Sequence, residues 1–202
     1  MAQSVTLPEP ISSTPTVETA EKQISRPKTA KTPSGGVKIS RKYTQKGIDA
    51  FSAVKFEKRV SKIAEPDGKV VFEMKEVEVP TTWSQLATDI IAQKYFRKAG
   101  VNGGSETSAK QVVWRVAHTI REFGEAKGYF SSQEDAETFE EELTHLCITQ
   151  KGAFNSPVWF NCGLSQYGIT GDRGNYAWDF EQGKIVEIMD AYSRPQCSAC
   201  FI

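Results

Sequence analysis

Apolar positions recur along this chain with two periods, and each predicts a different kind of element. Between residues 43 and 80, Val54, Phe56 and Val60 partly alternate with polar residues, Pro66-Asp67-Gly68 is a turn signal, and Val70-Val71-Phe72-Glu73-Met74 continues beyond it. That pattern predicts a β-hairpin or small meander. Phe72 and Met74 hold one parity while Val77 and Val79 hold the other, so a bulge or bend is expected before Pro80 closes the strand.

From Thr82 the period becomes helical. Thr82-x-x-Gln85 has capping-box spacing, and Trp83, Leu86, Ala87, Ile90 and Ile91 recur on one face, which predicts a first helix ended by Gly100 and Gly103-Gly104. A second helix is expected over about residues 106–123, with Val112, Val113, Val116, Ala117 and Ile120 inward. A third begins at Ser131 or Ser132, with Ser131-x-x-Glu134 as its capping box. It places Ala136, Phe139, Leu143, Leu146 and Cys147 on one face and stops at Gly152. Three helices with short Gly-rich links should pack as a helical unit.

After Gly152 the period is lost. Phe154 to Asn161 reads as a turn running into a short apolar strand, residues 163–174 as a polar Gly-rich loop, and Trp178 to Met189 as a further helix before Arg194-Pro195 forces extended backbone. Cys197 to Ile202 reads as the start of a buried strand. The division expected is a disordered tail over 1–45, a hairpin or meander over 46–80, a helical domain over 81–150, and a new, incomplete unit over 151–202. The tail holds five prolines, many Ser and Thr and almost no large apolar side chain, too little to offset its ordering entropy.

Composition narrows the function classes. With 39% apolar residues the chain can bury a core. Twenty-five basic against 25 acidic side chains leave no bulk field to attract nucleic acid or an anionic membrane, and no apolar run approaches the roughly 18 residues that spanning a bilayer requires. The N-terminus shows no apolar leader segment, which implies a cytoplasmic protein with reduced thiols.

Chemistry concentrates in the last third, where all four cysteines lie, at 147, 162, 197 and 200. Cys197-Ser198-Ala199-Cys200 has dithiol spacing, but no helix follows to lower a thiol pKa. His118 and His145 fall on separate helices, so no zinc set is expected. On a strand, residues three apart point to opposite faces, so only one of Cys197 and Cys200 should be the chemical residue. Cys147 and Cys162 read as small buried hydrophobes, Trp159 and Phe160 as core, His118 and His145 as boundary residues, and Glu140-Glu141-Glu142 as a solvent face.

Four separated motifs in order carry a family resemblance: Glu78-Val79-Pro80 with Trp83-Ser84-Gln85-Leu86-Ala87, Lys94-Tyr95-Phe96-Arg97, Ala153-Phe154-Asn155-Ser156-Pro157-Val158-Trp159-Phe160-Asn161, and Pro195-Gln196-Cys197-Ser198-Ala199-Cys200-Phe201. Over residues 38–202 the chain resembles the N-terminal part of the class II, adenosylcobalamin-dependent ribonucleotide reductases. The resemblance implies a mixed α/β fold: a small β-hairpin, a helical domain, then the first strand or strands of a truncated ten-stranded α/β barrel. It implies substrate contacts at Ser156, at the main chain of Ala199 and at Cys200, and a redox role for Cys200, whose partner cysteine is absent from this chain. Cys197 stands where relatives need no thiol.

The implied chemistry is reduction of ribonucleotides, diphosphates being expected, to 2′-deoxyribonucleotides by a thiyl radical. Adenosylcobalamin would be bound by the missing part and a thioredoxin-like dithiol would reset the enzyme. The radical-bearing cysteine and the cobalamin site lie beyond residue 202 in relatives, so the chain alone is expected to be inactive and to need the remainder of the reductase, as a separate polypeptide or a continuation. Two other readings remain open: a non-catalytic interaction or regulatory module derived from the reductase N-terminal domain, and a small dithiol oxidoreductase using Cys197 and Cys200.

Overall fold

The alternating residues after Phe56 form a hairpin in the computed structural model, which describes residues 35–101, 104–171, 173, 175–179 and 182–199. Strands β1 (Phe56–Ala64) and β2 (Val70–Pro80) pair antiparallel. Their turn closes through Glu65 N–H donating to Lys69 O at 2.8 Å and Gly68 N–H donating to Glu65 O at 2.9 Å, with Gly68 at φ +86°. The parity change is a bulge: pairing steps from Arg59 opposite Val77 to Ser61 opposite Met74, and Glu76 takes φ +59°. The extra residue rotates the strand, so Val77 and Val79 become fully buried beneath the helices.

Helix α1 (Gln85–Ile90) is capped by Ser84, whose hydroxyl accepts from Ala87 N–H at 3.0 Å. Thr82 was expected there. Instead it lies in a turn closed by Trp83 N–H donating to Pro80 O at 3.0 Å, and Gln85 spends its amide on Val60 O and Asp89. The helix runs into a π-turn at Ile91–Tyr95, where Phe96 N–H reaches back five residues to Ile91 O at 3.0 Å. Trp83, Thr88, Ile91 and Ala92 face inward, while Leu86 and Ile90, expected in the core, are exposed.

The second and third helices follow the sequence more closely. Helix α2 (Ala109–Ala126) starts at a capping box in which Ser108 accepts from the first turn and Gln111 accepts back from Ser108 N–H. Its buried side includes Val112, Val113, Val116 and Ala117. Helix α3 (Gln133–Ile148) is capped by Ser132, which accepts from Asp135 N–H at 3.1 Å. Ser131 does not cap it, because its hydroxyl donates to Gly36 O. The helix ends at Gln150, in the left-handed region at φ +58°, ahead of Gly152. The core joins Val77 and Val79 of the hairpin to Trp83, Ile91, Phe96, Val112, Val113, Cys147 and Ile148, and Trp83 Nε1 donates to Ile148 O at 2.9 Å within it.

Residues 35–45, placed in the tail by composition, run along α3. Val37 exchanges backbone bonds with Tyr129 and Ser131, and Ile39 N–H donates to Asp135 at 2.8 Å. The acidic run is a docking edge for this strap as well as a solvent face. Glu142 accepts from the N–H groups of Lys42, Tyr43 and Thr44 and from the Thr44 hydroxyl, and Glu141 pairs with Arg41. The rest of the expected tail, residues 1–34, lies outside the described residues.

Two expectations beyond Gly152 are overturned. The apolar run expected as a strand is helix α4 (Ser156–Asn161), because Asn155 caps it by accepting from Val158 N–H at 3.1 Å and Pro157 sits in its first turn. A 3₁₀ turn follows at Leu164–Tyr167. The helix expected across residues 178–189 is a second hairpin, β3 (Asn175–Asp179) with β4 (Lys184–Ile188), and Gly183 at φ +61° turns the chain between them. The described residues thus form a mixed α/β fold with two two-stranded antiparallel sheets. Residues 195–199 lie in no strand; Cys200, Phe201 and Ile202, the rest of the expected strand, lie outside the described residues. No helix among the described residues is long and apolar enough to cross a membrane.

Candidate functional site

Two carbonyls at the end of α4 decide how this helix is held. A six-residue helix leaves most of its C-terminal C=O groups without intrahelical donors. Arg115, on α2 and fully buried, supplies them: Nη2 donates to Trp159 O at 2.7 Å and Nη1 to Cys162 O at 2.5 Å. Its charge is balanced by Glu106, also fully buried, at 2.8 Å. Glu106 in turn accepts from Tyr167 Oη at 2.8 Å and from Arg97 N–H at 2.7 Å. Burial, followed by the adjacent Glu106 charge, pushes the Tyr167 phenol up, so it stays a donor. Gly163, at φ +79°, packs so closely that a Cβ there would meet Arg115 O at 2.2 Å. One guanidinium therefore fixes the path of residues 159–163.

Ser156 opens α4, and its hydroxyl lies 3.0 Å from Tyr95 Oη. Tyr95 ends the π-turn and stacks on Phe160, centroids 5.2 Å apart. The π-turn and α4 are thus tied at the residue the sequence singled out. Trp159 lies against the core, its Nε1 donating to Phe154 O at 2.9 Å, whereas Phe160 is 43% exposed and not the core residue expected. Between α1, α2 and residues 150–153 runs an apolar groove of about 290 Å³, reached by Tyr95 and Trp159.

At the other end of α4, Asn161 Nδ2 donates to Gln196 O at 3.1 Å. Asn161, Arg173, Asn175, Tyr192, Pro195 and Gln196 line a polar cavity of about 420 Å³. The segment entering it is shaped by Asp190, which accepts from Tyr192 and Ser193 N–H at 3.1 Å. Of the predicted site residues, the structure therefore brings the helix carrying Ser156 against the segment leading to Ala199. Ser156 stands about one and a half turns from Asn161, and Ala199 is exposed. Cys200 lies outside the described residues, so its place in the site is not described.

The thiols here are poor nucleophiles at neutral pH. Burial pushes Cys147 up to about 11; burial and then the Cys197 thiol push Cys162 up to about 11; burial also raises Cys197. His118 Nδ1 donates to Glu140 at 2.9 Å and the ring stacks on Trp114, and His145 stacks on Tyr43. Among the described residues no three His, Cys, Asp or Glu side chains stand together as a metal site. Sequence reasoning missed Glu106 and Arg115. Their only signal was a charged residue on the inward face of α2, and periodicity among apolar residues does not register it.

A family model described as class II vitamin B12-dependent ribonucleotide reductase matches residues 57–150. A vitamin B12-dependent ribonucleotide reductase of Agrobacterium fabrum is 39% identical over 201 residues, covering 82% of this chain and 16% of the relative. That of Rhodopirellula baltica is 41% identical over 170 residues, covering 83% and 16%. That of Streptomyces clavuligerus is 42% identical over 132 residues, covering 65% and 14%. The chain spans about a sixth of the length of the curated relatives it matches.

Proposed function

Because the chain belongs to the class II vitamin B12-dependent ribonucleotide reductases, as an N-terminal part of them, we propose that it supplies one wall of a site that reduces ribonucleoside diphosphates to 2′-deoxyribonucleotides. In this reading Ser156 and the main chain at Ala199 hold the substrate, and Cys200 is a redox-active thiol. The observation that carries it is the Asn161–Gln196 hydrogen bond at 3.1 Å. It ties the helix opened by Ser156 to the segment that leads to Ala199 and Cys200. The buried Arg115–Glu106 pair supports the same reading, since it holds α4 rigidly enough for a serine at its start to position a sugar.

The remainder of the reductase, on the same or a separate polypeptide, carries the other wall and the rest of an α/β barrel whose first strand residues 197–202 would begin. A thiyl radical on one of its cysteines takes the ribose 3′ hydrogen, and the 2′ hydroxyl leaves as water. Cys200 and a second cysteine of the remainder supply the two electrons and end as a disulfide, which a thioredoxin-like dithiol reduces. Adenosylcobalamin, when bound, supplies the initiating radical. In this reading its site lies on the remainder, as the family resemblance implies.

A chimera tests this. The corresponding N-terminal region of the Agrobacterium fabrum reductase is replaced by this chain, and deoxynucleotide formation is followed with adenosylcobalamin and dithiol. The chimera is expected to turn over and the isolated 202-residue chain to show none. Turnover by the isolated chain, or a folded chimera without activity, would overturn the proposal.

A further inference from the structure

Two cysteines that the proposed reaction does not use lie on neighbouring segments. Cys162 ends α4 and is 6% exposed; Cys197 is half-buried in the segment after Pro195. The residue before each is joined to the other by the Asn161 Nδ2–Gln196 O bond at 3.1 Å, and Asn161, Pro195 and Gln196 share the wall of one cavity. On the α4 side the backbone is fixed, since Cys162 O is held by Arg115 and Gly163 is wedged against that residue. On the other side, residues 195–199 belong to no helix or strand, so an approach from this side breaks no helix or ladder hydrogen bond. We propose that Cys162 and Cys197 form a second thiol pair, which closes reversibly as a disulfide in exchange with small disulfides and so tethers the segment leading to Ala199 onto α4.

The step balances without any other reactant. The Cys197 thiolate, on the more exposed side, attacks one sulfur of a small disulfide and releases one thiolate. The Cys162 thiolate then attacks the Cys197 sulfur of the mixed disulfide and releases the second. Two protein thiols lose two electrons and two protons; the small disulfide becomes two thiols. Closure brings the two Cα atoms to within about 7 Å, a distance the unpaired segment adjusts to more readily than α4 does. Burial raises both thiols, and the Cys197 thiol raises Cys162 further, so closure is slow at neutral pH and accelerates by about tenfold per pH unit on the alkaline side. The pairing does not depend on the reductase reading. It differs from a Cys197–Cys200 dithiol, because the partner sits 35 residues earlier in the chain, on another element.

The test uses the 202-residue chain with Cys200→Ser, incubated with oxidised glutathione at pH 8 and pH 9, trapped with an alkylating agent and digested without reductant. Two free thiols are expected to disappear, with one peptide pair joined through residues 162 and 197, and the reaction about tenfold faster at pH 9. Retention of all thiols, or only glutathione adducts on single cysteines, would overturn the proposal. The unsubstituted chain, which needs no variant to fold, gives an independent check. There a predominant bridge between Cys162 and Cys197 supports the pairing, and a predominant bridge from Cys200 to either one overturns it.

Discussion

Residues 82–150 and residues 151–199 are built on opposite principles. In the first region long helices bury apolar stripes against the β1–β2 hairpin, and backbone groups are satisfied within each helix. In the second, elements of four to six residues are held by single polar side chains: Asn155 starts α4, Arg115 ends it, Asn161 ties it to the chain's last described stretch, and Asp190 shapes the turn before Pro195. The difference teaches where function can reside. The helical region can lose a contact and keep its shape, whereas the site-bearing region depends on a few hydrogen-bonded side chains anchored in its neighbour.

The largest expected effect breaks that anchor. Arg115→Met removes the donors to Trp159 O and Cys162 O and leaves Glu106 buried without a counter-charge, at a cost of about 3–5 kcal/mol. Urea unfolding checks this, and a loss well under 1 kcal/mol would mean that α4 is held elsewhere. Next is the cap: Asn155→Ala leaves Val158 N–H without its acceptor and costs about 1 kcal/mol, with Asn155→Asp restoring most of it.

A third prediction concerns the strap on α3. Partial burial pushes the Glu142 carboxyl up, but the Thr44 hydroxyl and the N–H groups of Tyr43, Lys42 and Thr44 outweigh it and hold the group at about 2 in the folded chain, against an ordinary value of 4.5. A depressed folded value means stability that is fully present above pH 4.5 and is lost as pH falls toward 2. The urea midpoint should decline across that window, and Glu142→Gln should flatten the decline; an unchanged slope would show that the strap is held without this carboxylate. The smallest effect is expected on the exposed hairpin, where Trp178, 51% exposed, changed to Ser should alter stability by no more than about 0.5 kcal/mol.

The same contrast explains what was legible in the sequence. The β1–β2 hairpin and the second and third helices announce themselves through repeated apolar positions, and the bulge through a change of parity between Met74 and Val77. The first cap is Ser84 rather than Thr82, which lies in a turn, and of the two starts expected for the third helix Ser132 is the cap, because the Ser131 hydroxyl is spent on the strap. Leu86 and Ile90 lie beside the inward line of α1 rather than on it, since Trp83, Thr88 and Ile91 take the buried side. Beyond Gly152, Val158-Trp159-Phe160 is too short to display a period, and Asn155 and Pro157 fit a turn into a strand as well as the helix start that they form. The charged core pair escapes any apolar pattern. Ser156 is singled out by the motif around it, and the structure adds a hydrogen-bonding neighbour, Tyr95.

The central claim is that the chain contributes a single redox thiol, Cys200, to a reductase site completed by other residues. The most direct measurement compares Cys200→Ser with Cys197→Ser in the chimeric reductase, under excess dithiol, counting deoxynucleotides formed per enzyme. Cys200→Ser is expected to abolish multiple turnover and Cys197→Ser to leave it near that of the parent chimera. Sustained turnover without Cys200, or its loss with Cys197 alone removed, would contradict the account.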